Sequence, residues 1–220
     1  MRRFLPGTKL RSLFVGNRRY GITYVLLFVG WIAANGPAFA QFWWHADDFT
    51  RAIHFDPWFS MGQGRPLEVI VPFLIHLDYI THQLWLHEAI RLLQAALHVL
   101  VALLLIDLFQ GVVGFWAACS AVLFFLFWPF HGEAVLWVSA LAYPLAAALS
   151  LWGLLILQRA KGSLRWLGAV VIVAAMFTNQ AAAPAALVAW LIMQGLNVLQ
   201  QNRLAAHWRY EITLLCLGYL

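Results

Sequence analysis

Asp47 and Asp48 stand side by side in the stretch Trp43–Glu68, the longest interval of this chain that is not dominated by apolar residues. Adjacent carboxylates repel, and one of such a pair tends to hold its proton to higher pH. A carboxylate near neutrality can take a proton from an acceptor hydroxyl as a general base. Two carboxylates with a histidine can instead hold a divalent cation, Mg or Mn, and His131 and Glu133 are the further groups that Asp47 and Asp48 would share it with. A plainer arrangement is open for one of them: Arg51 follows Asp47 by four residues, and one helical turn would pair the two.

Other chemistry-bearing side chains fall in the same kind of position. His45, Arg51, His54, Asp56, Arg65 and Glu68 belong to the same interval, His131 and Glu133 flank a glycine further on, and Asn179-Gln180 mark a third polar break. Glu133 also fits the first turn of a following helix, where the dipole favours a negative charge. His76, His82, His87 and His98 are irregularly spaced, form no HExxH signature and read as interfacial or packing residues. Gln94 and His98 are candidates for a bond between helices. No Walker loop, GxGxxG, GxSxG or Cys-rich zinc pattern occurs.

The elements that must position these groups are apolar. Of 220 residues 63% are hydrophobic and 10% charged, with mean hydropathy +0.77, too few charges to cover a water-facing surface. The expectation is an all-α, polytopic integral membrane protein whose solvent is a bilayer. A net charge of +5 without a basic, aromatic-interleaved patch gives no reason to expect nucleic acid. Cys119 and Cys216 lie in apolar runs and read as free thiols.

Residues 1–19 form a basic cytoplasmic N-terminus, and residues 20–220 a single transmembrane domain. The apolar run Tyr24–Ala34 reads as an uncleaved signal-anchor inside a first span at Tyr20–Phe42. An outer loop over residues 43–87 follows, with Leu67–Ile80 as an interfacial or re-entrant helix. Further spans are expected at Glu88–Phe109, Phe115–Phe130, Ala134–Leu157, Trp166–Thr178 and Ala181–Leu199, with a seventh opening at Ile212. Eleven of 14 Lys and Arg then fall inside and seven of nine acidic residues outside, so the cytoplasmic N-terminus and a cell (inner or plasma) membrane are the expected setting. The last apolar run is too short to span, from which a C-terminally truncated protein is expected.

Three stretches carry a family resemblance: Ala46-Asp47-Asp48-Phe49-Thr50-Arg51-Ala52-Ile53-His54-Phe55-Asp56, Gly64-Arg65-Pro66-Leu67, and Pro129-Phe130-His131-Gly132-Glu133-Ala134-Val135. In order and spacing they resemble the N-terminal part of the polytopic GT-C glycosyltransferases, most closely the protein O-mannosyltransferase and TMTC-like branch. The resemblance implies a GT-C-like transmembrane module that transfers a sugar from a polyprenyl-phosphate donor to a glycan, lipid or protein acceptor at the outer (periplasmic or extracytoplasmic) face. It maps the catalytic base to Asp47 or Asp48, and site residues to His131 and Glu133. His45, Arg51, Arg65, Asn179 and Gln180 complete the expected donor-binding set, with the arginines facing the phosphate. The chain departs from the pattern at Trp128, where the family has His, and at Asn179-Gln180, where it often has Lys-Glu. An inactive scaffold of the same fold would tolerate those departures. A transporter or permease working through the outer acidic and histidine groups is a further reading, though transporters place ionisable residues near mid-membrane.

Overall fold

A computed structural model describes residues 18–40, 53–81, 84–126, 138–201 and 208–219. Every regular element among them is helical: α1 (Arg18–Ala40), α2 (Pro57–Gly62), α3 (Ile70–Thr81), α4 (Leu84–Val113), α5 (Phe115–Leu126), α6 (Ala142–Arg159), α7 (Arg165–Thr178), α8 (Ala185–Gln201) and α9 (Trp208–Tyr219). Short 3-10 turns at Pro66–Val69, Val138–Leu141 and Gly162–Leu164 lead into α3, α6 and α7.

α4 is the axis of the fold. Its 30 residues, free of proline, are mostly Leu, Ala and Val, and run about 45 Å. It ends where Gly114 takes φ +87°, a left-handed conformation open to glycine, and donates its N–H to the Gln110 carbonyl at 3.0 Å. Three apolar clusters meet on it. Ala95, Val99, Ala102 and Ile106 pack against Leu27 and Trp31 of α1 and Ala118 and Val122 of α5. Val101 and Leu108 join Leu151 and Leu154 of α6, Ile172 of α7, Trp190 of α8 and Leu214 of α9. Ile90 packs with Val71 and Ile75 of α3 and with Leu141 and Ala142.

The closest helix pair is α6 with α7. A methyl group at Gly153 would lie 2.7 Å from the Gly168 carbonyl oxygen, and one at Gly168 would lie 2.6 Å from that of Gly153. Each glycine thus admits the other's backbone, the small-residue packing by which helices associate where no hydrophobic effect drives them together. Ser150 of α6 ties in α8: its hydroxyl donates to the Ala183 carbonyl and accepts from Ala186 N–H at 3.0 Å.

Some helices expose apolar side chains while the central one buries polar ones. α1 exposes Ile22, Val25, Leu26 and Val29, and α7 exposes Leu167 and Val170, while α4 buries His87, Arg91, Gln94 and His98. Charged and amide side chains are mostly outside in soluble proteins.

Within the described residues, helices cover most of each segment expected as a span, with shifted ends. The second begins four residues earlier than expected, at Leu84, and the inner turn expected over Gln110–Gly114 is helix up to Val113, with Gly114 alone as the break. The fourth is helical from Ala142 and the sixth from Ala185. Among the described residues α4 is the one helix both long and apolar enough to cross a membrane. The apolar helices at Gly21–Asn35, Phe115–Phe124, Gly162–Thr178 and Ala185–Leu199 are shorter. At 14 residues α7 runs about 21 Å, less than a hydrocarbon core of about 30 Å.

Candidate functional site

The α4 N-terminal end of the bundle brings together two groups of polar side chains. Asp56 starts the construction by accepting the Trp58 N–H at 2.9 Å, and Pro57 supplies the first helical residue of α2. α2 closes through Gln63, Gly64 and Arg65, whose N–H groups reach the Phe59, Met61 and Ser60 carbonyls. Gly64 takes φ +74° there, and the chain turns sharply into Pro66.

That turn presents Arg65. Its Nη1 donates to Glu68 Oε2 at 3.3 Å, and the Glu68 side chain is buried. The Arg65 Nε is also buried, and no hydrogen-bond acceptor meets it among the described residues. A guanidinium offers five N–H donors in a planar fork, so Arg65, 28% exposed, keeps donors for an anion while Glu68 holds it in place.

The turn after α7 packs against this one. A methyl group at Gly64 would lie 3.2 Å from Gln180 Nε2, and Pro66–Val69 rests on α7. The third polar break of the sequence and the Gly-Arg-Pro motif are therefore neighbours, although more than a hundred residues separate them. Within the break the two residues differ. Asn179 is 1% exposed, and its side-chain oxygen accepts the N–H groups of Ala181 and Ala182 at 3.0 and 3.2 Å, shaping the turn into α8. Gln180 is exposed, so it is the member of the pair whose side chain a ligand can reach.

A second polar group lies between α3 and α4. His87 Nδ1 donates to Asp78 Oδ2 at 2.9 Å, with both side chains 6% exposed. The carboxylate fixes the imidazole tautomer and leaves the lone pair on Nε2 when the ring is neutral. Arg91, 1% exposed, follows one turn along, then Gln94 and His98. The 4-3-4 spacing of His87, Arg91, Gln94 and His98 places all four on one face of the helix. Of the two readings open for His87, interfacial or packing, its burial between α3 and α4 supports packing. His98 donates Nδ1–H to the Gln94 carbonyl of its own helix at 2.8 Å and stacks on Trp31 of α1, ring centroids 5.7 Å apart. The sequence signal for this group is the shared helical face rather than any catalytic template.

His45, Asp47, Asp48, Arg51, His131 and Glu133 lie outside the described residues. Among the described residues no three His, Cys, Asp or Glu side chains converge as metal ligands would. The described residues provide an anchored cation in a turn that packs against an exposed amide, and a buried carboxylate–imidazole pair on the central helix. No protein-family model, curated protein or solved structure matches this chain.

Proposed function

We propose that this chain is the transmembrane part of a multi-pass GT-C-like glycosyltransferase. It would move a sugar from a polyprenyl-phosphate donor to an acceptor at the extracytoplasmic face, with Asp47 or Asp48 as general base. The observation that carries the reading is Arg65: a partly exposed guanidinium held by Glu68, in the turn whose Gly64 packs against Gln180. Polyprenyl-phosphate transfer releases a phosphate that keeps its charge, and a fixed arginine stabilises that leaving group. The three motif stretches supply the rest of the argument, and the exposed apolar faces of α1 and α7 support a bilayer as solvent.

The test is transfer from a radiolabelled polyprenyl-phosphate sugar by the full chain in detergent. Asp47→Asn and Asp48→Asn are made separately, and the variant at the base should lose on the order of a hundredfold or more in rate. Arg65→Gln should lose on the order of a hundredfold. Full transfer in both aspartate variants would remove the general base, and full transfer in Arg65→Gln would remove the phosphate contact.

A second reading draws on the Asp78–His87 pair. A buried carboxylate–imidazole couple with Arg91 and His98 farther along the same helix is how a proton-coupled permease carries its ionisable groups. Solute uptake into vesicles that is driven by a proton gradient and lost in His87→Gln would favour the permease over the transferase.

A further inference from the structure

The opposite end of the bundle carries a different charged feature. Between α6 and α7 the chain lines an open groove of about 550 Å³ with Lys161, Gly162, Ser163, Arg165, Trp166 and Tyr210. We propose that this groove seats the phosphate headgroup of an anionic phospholipid, its acyl chains lying along the outward face of α7. The proposal rests on the bilayer reading given above and is independent of sugar transfer.

The first argument is charge balance. Lys161 is exposed and forms no hydrogen bond or ion pair among the described residues. The carboxylates at this end are committed elsewhere. Asp107 pairs with Arg159 at 2.7 Å, and Glu211, next to Tyr210 in sequence, is buried and accepts the Trp190 indole N–H at 2.9 Å. The groove therefore keeps the positive charge of Lys161 and Arg165.

The second argument is preorganisation. Arg165 Nε donates to the Ala160 carbonyl at 2.9 Å, and its guanidinium lies over the Tyr210 ring, 5.3 Å from the centroid. Those two contacts fix the side chain and leave its Nη donors for an anion, so little freedom is lost when a phosphate arrives. The Ser163 hydroxyl, also exposed, adds a neutral donor.

The third argument selects a lipid over a soluble anion. Trp166 and Tyr210, 53% and 40% exposed, are the two residue types that settle at the headgroup level of a bilayer. Beyond them α7 exposes Leu167 and Val170, a continuous apolar path leading away from the basic groove. A soluble phosphate uses only the charged half of this surface; a phospholipid uses both halves.

The experiment reconstitutes the full chain in bilayers with spin-labelled phosphatidylglycerol or phosphatidylcholine and measures the protein-bound fraction of each by electron paramagnetic resonance. The expected preference for phosphatidylglycerol is on the order of tenfold, falling to about twofold in Lys161→Gln, since one basic group at a membrane surface is worth about a fivefold change in binding. Ser163→Asp, another substitution at an exposed position, should abolish the preference. Equal binding of the two lipids, or an unchanged preference in both variants, overturns the proposal. Displacement of the label by millimolar inorganic phosphate also overturns it, by making a soluble anion the occupant. Carbonate extraction of membranes carrying the full chain runs in parallel. Release of the protein sinks the bilayer reading, whereas retention without headgroup preference sinks the groove alone.

Discussion

At the N-terminal end of α4, His87 meets Asp78 of α3 at 2.9 Å, and both side chains are 6% exposed. At the C-terminal end, Asp107 meets Arg159 of α6 at 2.7 Å, with side chains 17% and 37% exposed. The second pair is the shorter, yet the two have different worth. An exposed pair gains little because water and salt already solvate its charges. A buried pair costs desolvation on both sides, and removing one partner strands the other. A chain that needed only to fasten α3 to α4 could do so with the apolar contacts of Val71, Ile75 and Ile90 already in place. Retaining a carboxylate and an imidazole there points to a requirement beyond packing. The Asp107–Arg159 pair needs no such requirement: on the proposed bilayer reading, positive charge at that end would follow from how loops are sorted across a membrane.

The largest effect is expected from cutting the buried pair on one side. Asp78→Leu removes the carboxylate that meets His87 Nδ1 at 2.9 Å in a buried setting, at a cost of about 3 kcal/mol in the unfolding free energy. Unfolding of the full chain in detergent, followed by circular dichroism, measures it. A loss below about 1 kcal/mol would mean that water reaches His87 and that the two ends of α4 are alike after all.

A smaller effect is expected when both partners are replaced. Asp78→Leu combined with His87→Leu removes the stranded group, so stability should return to within about 1 kcal/mol of the unsubstituted chain. The same double variant separates structure from function. Recovered stability with lost transfer or lost uptake assigns the pair to the activity; recovered stability with intact activity makes it a fastening that an apolar contact can replace.

The contrast between the ends was only partly legible in the sequence. Helical fold class and the approximate order of helices follow from apolar run length, because long uncharged segments have few other solutions. The neighbourhood of Gly64-Arg65 and Gln180 was legible too, since charge sorting put both loops on one side. Burial was not. Arg91 lies near a helix end by sequence, where a side chain is as easily exposed as buried, and it is the packing of α3 on that end of α4 that buries it. The 4-3-4 spacing of His87, Arg91, Gln94 and His98 was visible, though period alone does not say which face is inside when the rest of the helix is apolar too. Asn179 was read as a ligand because it replaces a charged residue of a resembling motif. An Asn just after a helix and ahead of a run leading to Pro184 is also the signature of a side-chain-capped turn, and that is the use made of it here.

The smallest effect belongs to the exposed pair. Asp107→Asn keeps the shape of the side chain and an oxygen that can still accept from Gln110 Nε2, now at 2.8 Å. It removes the charge that faces Arg159, a side chain 37% exposed that can turn to water without penalty. The expected loss is about 0.5 kcal/mol at low salt, vanishing at molar salt, where the screening length falls to about 3 Å. Asp78→Leu should show no such salt dependence, because ions cannot enter the α3–α4 contact. Parallel salt titrations of the two variants therefore compare the ends of α4 directly. A salt-independent loss at Asp107 would show that this end, too, is shielded from water, and the distinction between a pair kept for chemistry and one kept for topology would then fail.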